Sequence, residues 1–228
     1  MNSVEGIEYQ RGETTPEVNY MYASVSGMYT AAHKLALKKF SSCSLEDMAR
    51  YSGYSIEESA LSIDFLGQRF KVSYPNGNFV PVQAADQEVP IPTQLLILHY
   101  LTSLTEPLEL GELISYKELP GGDIYIKPFT GRAINPFIRI FGTNPESLLE
   151  VAKLLEGQPN ELGDVGVTIR VFPRIPVTFV LWKADDEFPA SGNILFDKSA
   201  PAVLPTEDYA VLASIVVFGM ERIRKNLK

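Results

Sequence analysis

Apolar residues repeat with helical spacing in several blocks of the chain and alternate in others. VNYMYASVSGMYTAAHKLALKKF, after Thr15 as N-cap and Pro16 at the first helical position, predicts a long helix despite Gly27. A second helix is expected from Ser44, with Asp47 in a capping-box position and Gly53 as its stop. SIDFLGQRFKVSYPNGNFVPV then changes to strand character, with a break at Gly67 and an Asn76-Gly77 pair that suits a tight type I′ turn. TQLLILHYLTSL is apolar on most faces and predicts a buried helix capped by Thr93.

The middle of the chain, ELISYKELPGGDIYIKPFTGRAINPFIRIFG, predicts strand-like pieces broken at Pro120-Gly121-Gly122, with a short helix starting near Gly131. Asn144 and Pro145 precede SLLEVAKLLEG, whose apolar spacing predicts a helix stopped by Gly157. VGVTIRVFP and IPVTFVLWK are β-branched and aromatic, and predict neighbouring antiparallel strands. A final helix follows Thr206, with Glu207 and Asp208 at its start and Arg222, Arg224, Lys225 and Lys228 toward its end, as the helix dipole favours. Strands and helices cluster instead of alternating strictly. The expected class is therefore α+β, an antiparallel sheet packed with several helices and with long N-terminal and C-terminal helices. Residues 1–16 read as an N-terminal extension and 17–228 as a single domain.

Composition narrows the partners. The 228 residues are 45% hydrophobic and 21% charged, the profile of a chain that folds alone. A net charge of −8 opposes binding to nucleic acid or anionic lipid, which depends on lysine and arginine. That charge also argues against a DNA-binding role for the two closely spaced early helices. MNSVEGIEYQRGETTPE lacks the basic and apolar regions of a signal peptide, and the longest apolar run is too short to span a bilayer, so a soluble cytoplasmic protein is expected. Cys43 is the only cysteine, and His33 and His99 are the only histidines. No iron–sulfur cluster is expected from this chain, and any metal site would have to be mostly carboxylate.

Four stretches carry candidate chemistry. WKADDEFPASGNILFD, residues 182–197, places Trp182, Asp186, Glu187, Phe188, Asn193 and Asp197 close in sequence. It reads either as a polar turn after a strand or as a site whose carboxylates are desolvated by aromatic neighbours. Asp186, Glu187 and Asp197 are the candidate cation ligands, although their spacing is not that of a calcium loop. Lys117, Lys127, Arg132 and Arg139 gather near FTGRAIN, where a helix start and an arginine suit an anion; a solvated basic surface is the plainer reading. His99, on a buried helix, suits a hydrogen-bonded core histidine or a ligand-binding one. Tyr20, Tyr22 and Tyr29 suit core packing or a flat ligand. No G-x-S-x-G elbow, Walker A or G-x-G-x-x-G spacing occurs.

At ILHYL, ELPGGDIYIKPF, VFPRIPVTFVLWKADDEFPASGNILFD and LPTEDYAVL the sequence resembles the domain-of-unknown-function family 3786 of anaerobic bacteria and archaea, from about residue 17 to the C-terminus. The resemblance implies a setting beside corrinoid or other methyl-transfer systems, and relatives that carry a cysteine-rich iron–sulfur segment. This chain departs from that segment, since Cys43 stands alone. Asp186, Glu187, Phe188, Pro189, Leu195, Phe196 and Asp197 fall in the most specific block. Three functions follow as expectations: an accessory binding module for a small tetrapyrrole-like or anionic ligand, a cation-dependent hydrolase or lyase using the clustered carboxylates, or a protein-interaction scaffold. The cofactor and the protein partner are left unknown.

Overall fold

The computed structural model describes residues 16–83, 87–106 and 109–227, with side chains from Tyr29 onward. A four-stranded antiparallel meander comes first: β1 (Ser55–Glu57), β2 (Ala60–Phe65), β3 (Gln68–Ser73) and β4 (Phe79–Pro81), in that spatial order. A five-stranded sheet follows, built from β5 (Leu113–Ser115), β6 (Gln158–Asn160), β7 (Val165–Phe172), β8 (Ile175–Trp182) and β9 (Ser191–Asp197). Its order is β5-β9-β8-β7-β6 and every neighbour is antiparallel. The helices are α1 (Pro16–Ser42), α2 (Leu45–Ser52), α3 (Ile91–Leu101), α4 (Gly122–Phe129), α5 (Asn135–Phe141), α6 (Glu146–Leu154) and α7 (Thr206–Asn226). Antiparallel sheets with segregated helices make the chain an α+β protein.

Alternation along the five-stranded sheet sends Val167, Ile169, Val177, Phe179, Ile194 and Phe196 into the core. They meet α5 through Phe137, 5.5 Å from Phe179 between ring centroids, and α7 through Tyr209, 4.9 Å from Phe196. On α7 the residues Tyr209, Leu212, Ala213, Val216, Val217 and Met220 form one buried stripe with helical spacing. The two sheets share a core through a stack of rings: Phe65 lies 5.0 Å from Phe172, and Phe172 lies 4.3 Å from Tyr100 of α3. The Tyr100 hydroxyl donates to Ser52 O and accepts from the Arg174 N–H. Burial pushes its pKa far above the ordinary phenol range, so it acts as a neutral donor.

Several punctuation marks sit where the sequence does not place them. Ser44 does cap α2, accepting from the Asp47 N–H, and Gly53 does end it in the left-handed region. The tight hairpin, however, turns at Leu66-Gly67, both left-handed with φ of 51° and 72°, between the paired residues Phe65 and Gln68. Two positive φ values in a two-residue loop are the type I′ geometry. Asn76-Gly77 instead lies in a longer connection that contains the cis Tyr74-Pro75 bond. Thr93 lies inside α3 and Thr206 opens α7, with Pro90 and Pro205 at the two cap positions; neither threonine side chain caps its helix. Asn144 precedes α6 without a side-chain cap, and the left-handed residue after that helix is Glu156, not Gly157. The cap expected at Thr15 lies outside the described residues.

DIYIKPF is the clearest correction. Its alternation predicts a strand, yet it forms α4 and runs through a π-helical turn (Thr130–Ile134) into α5. Gly122 permits the entry, because a Cβ there would lie 2.0 Å from Tyr116 O. Pro136 accounts for the wide turn. Its ring would crowd the Arg132 carbonyl in an α-helix, and the Asn135 N–H bonds back to Thr130 O instead.

Candidate functional site

The type I′ turn, the start of α3 and the last turns of α7 line a half-open cavity of about 770 Å³. Phe65, Leu66 and Phe70 come from the hairpin, Val89 from the approach to α3, and Ile215 and Phe218 from α7. Their shared wall is apolar. The rim is polar, with Gln68, Gln83, Glu88, Thr93, Ser214 and Arg222. Gly219 lets Leu66 approach α7, since a Cβ on this glycine would lie 3.0 Å from Leu66 Cδ1. Arg222 enters no ion pair among the described residues, and α3 begins at the same rim without a side-chain cap. An arginine favours negative charge; at the start of α3 the lining prolines Pro90 and Pro92 carry no N–H, which leaves Thr93 as the backbone donor on this rim.

A second cavity of about 460 Å³ lies across the hairpin and shares Leu66, Gly67 and Gln83 with the first. Its two arginines already have partners. Arg69 Nε lies 3.0 Å from Asp64 Oδ1, and Arg170 holds Glu109 with two guanidinium nitrogens. The guanidinium of Arg170 lowers the pKa of the Glu109 carboxyl, against a smaller opposing effect of burial. With both arginines paired and Glu156 also in the lining, this space is less suited to an added anion.

The tract 182–197 forms the connection from β8 to β9 and the whole of β9. Trp182, Asp186, Glu187 and Phe188 are exposed. Asp185 shapes the turn: its Oδ1 accepts from the N–H groups of Glu187 and Phe188, and these bonds lower its pKa. Asp197 is buried at the far end of β9, where its carboxylate accepts from the N–H groups of Leu110, Gly111 and Ser199. Burial raises the Asp197 pKa, and these bonds together with the Ser199 hydroxyl outweigh it, leaving a lowered value. Ser191 and Asp197 are separated by about 20 Å along an extended strand, so Asp197 does not join Asp186 and Glu187 around one ion. Among the described residues, no group of three or more His, Cys, Asp and Glu side chains is arranged to hold a metal. Asn193 is half-buried on β9, where its side chain accepts from the Ile194 N–H.

A family model described as a domain of unknown function, DUF3786, matches residues 44–218. The chain belongs to that family. No curated protein and no solved structure matches it. The family segment spans both sheets, α2 to α6 and most of α7, a narrower reach than the resemblance from about residue 17 suggests. Within it lie the hairpin wall of the cavity and Phe218; Gly219 and Arg222 follow immediately.

The remaining candidates fall on two other surfaces of the family fold. Lys127, Arg132 and Arg139 are exposed along α4, the π turn and α5, and Lys117 is exposed just before them. His99 Nδ1 lies 2.7 Å from Asp208 Oδ2, so its hydrogen-bond partner is a carboxylate. An ionised carboxylate only accepts, so Nδ1 is the donor in this contact. None of Trp182, Asp186, Glu187, Phe188, Asn193, Asp197, Lys127, Arg132 and His99 lines either cavity. The residues that do, Leu66, Phe70, Phe218 and Arg222 among them, carry no motif that marks them as a site. One signal is present in the sequence: Phe218 is apolar but lies off the buried stripe of α7, beside a glycine.

Proposed function

We propose that this family member is a binding module for a small, largely apolar molecule that carries an anionic group, held in the cavity between the hairpin, α3 and α7. The supporting observation is the pairing of an apolar wall with a rim that contains Arg222 and the start of α3, in a volume of about 770 Å³. Ligand cavities commonly measure ~300–1,000 Å³, with mostly apolar walls and a few polar groups that fix orientation. Phe65, Phe70 and Phe218 suit a flat or branched hydrocarbon body, tetrapyrrole or smaller, while Arg222 suits a carboxylate. Glu88 on the same rim accepts from a hydroxyl or amine of the ligand. A reaction using Asp186, Glu187 and Asp197 together draws no support from their placement, and the binding reading stands ahead of it.

Thermal-shift and calorimetric titration with medium-chain fatty acids, aryl carboxylates and a tetrapyrrole carboxylate tests the reading. At least one of these classes binds and raises the melting temperature. Arg222→Gln weakens that ligand about tenfold and leaves its uncharged amide analogue unchanged, since one charge-assisted contact contributes about 1.5–3 kcal/mol. Phe218→Ser, at a position already 44% exposed, weakens acid and amide alike. Flat responses across all three classes overturn the proposal.

A further inference from the structure

The exposed stripe of α4 and α5 and the acidic tip between β8 and β9 have complementary chemistry, and neither belongs to the cavity. The stripe carries Ile124, 74% exposed, and Tyr125, together with Lys127, Arg132 and Arg139. Like Lys117, Lys153 and Arg222, these three bases enter no ion pair among the described residues. Asp123 is the acid exposed at the start of the stripe. The tip carries Asp186 and Glu187, which enter no ion pair among the described residues, beside Phe188, 66% exposed, and Trp182. Lys183 at its base is already taken by Glu146. One patch is therefore basic and apolar, the other acidic and aromatic.

Their placement on the molecule matters as much as their charge. The tip adjoins the end of α5, where a Cβ on Gly142 would lie 3.1 Å from Ala190 Cβ. Ile124 and Lys127 sit toward the opposite end of the helical run from Gly122 to Phe141, about 27 and 22 Å from Gly142 at ~1.5 Å per residue. Two copies laid with these runs antiparallel bring the tip of each against Ile124 and Lys127 of the other. Arg132 and the exposed Gly131, whose missing side chain leaves open space, then lie near the two-fold axis. Such an interface is isologous and closes on itself.

We propose that this face pairs with a second copy of the chain, the Asp186-Glu187-Phe188 tip of each protomer seated on Ile124 and Lys127 of its partner. Net charge decides how the copies meet. Each copy carries −8, so most approaches are repulsive and the basic stripe is a place where an acidic surface of the same chain is attracted. Phe188 and Trp182 supply an apolar anchor in each of the two tip contacts.

Sedimentation velocity of the full chain at about 50 mM and about 500 mM salt tests the pairing, because exposed charge pairs are screened over a few ångströms at the higher value. The wild type is a dimer at low salt and dissociates at high salt. D186K/E187K and K127E/R132E are each monomeric with unchanged circular dichroism, and an equimolar mixture of the two recovers a heterodimer. F188S weakens the dimer at least tenfold at the lower salt. A wild type that stays monomeric at both salts overturns the proposal, as does failure of the mixed variants to pair. Binding of a polyglutamate peptide to a wild-type monomer, lost in K127E/R132E, also overturns it and assigns the stripe to a foreign acidic partner.

Discussion

Asp197 turns a surface-type residue into a structural pin. Its two oxygens gather the N–H groups of Leu110, Gly111 and Ser199, which ties the approach to β5 against the end of β9. Asp197→Ala strands these donors and costs about 2–4 kcal/mol in chemical denaturation. Asp197→Asn keeps part of the acceptor capacity and costs less. The hydrogen bonds hold the folded carboxyl below its unfolded value. Their contribution is complete above the ordinary carboxylate range near ~4, and it is lost as pH falls through the lowered folded value. A stability curve measured from neutral pH into acid is therefore flatter in this region for Asp197→Asn than for wild type. Gly67 holds a φ of 72°, and a methyl group placed on it would meet no atom closer than 3.8 Å. Gly67→Ala consequently costs only backbone strain, about 1 kcal/mol, and leaves the cavity wall in place.

Among the elements, the helical run from α4 to α5 depends on one glycine and two prolines. A methyl group at Gly122 meets the Tyr116 carbonyl oxygen at 2.0 Å, and backbone cannot move aside as a side chain can. Gly122→Ala is expected to cost more than about 3 kcal/mol, seen as a large drop in melting temperature. The Tyr116 ring stacks on Phe129 of α4 at 4.0 Å, and burial pushes its hydroxyl pKa up to about 12, so displacement of this turn also disturbs a neutral buried phenol. Sequence patterning misleads here for a physical reason. Ile124, Tyr125 and Ile126 favour a strand by intrinsic propensity, whereas Phe129, Ala133, Phe137, Ile140 and Phe141 fit the core only as a helix. By contrast α2 is legible to its caps, because Ser44 and Gly53 act within a few residues of themselves. β7 and β8 are legible for a similar reason, since their β-branched runs are joined by a short Pro173-Arg174 turn.

At the scale of the whole molecule, the ring stack Phe65, Phe172 and Tyr100 couples the two sheets through α3. Phe172 is buried in it. Phe172→Ala is expected to cost about 3–5 kcal/mol and to lower the stability of both sheets together, read as one cooperative transition by circular dichroism and tryptophan fluorescence.

Much of this architecture follows from local rules that the chain carries in its own order. Apolar spacing, cap residues and β-branched runs decide most helices and strands, and clustered elements decide the α+β class. The site does not follow in the same way. Asp186 and Asp197 are near in sequence yet stand at opposite ends of β9, because an extended strand carries its two ends apart. Leu66, Val89 and Phe218 are far apart in sequence yet face one cavity, because a hairpin turn, a helix start and a helix end meet only when both sheets pack around α3 and α7. Local order determined which elements form; long-range packing alone determined which side chains share a space.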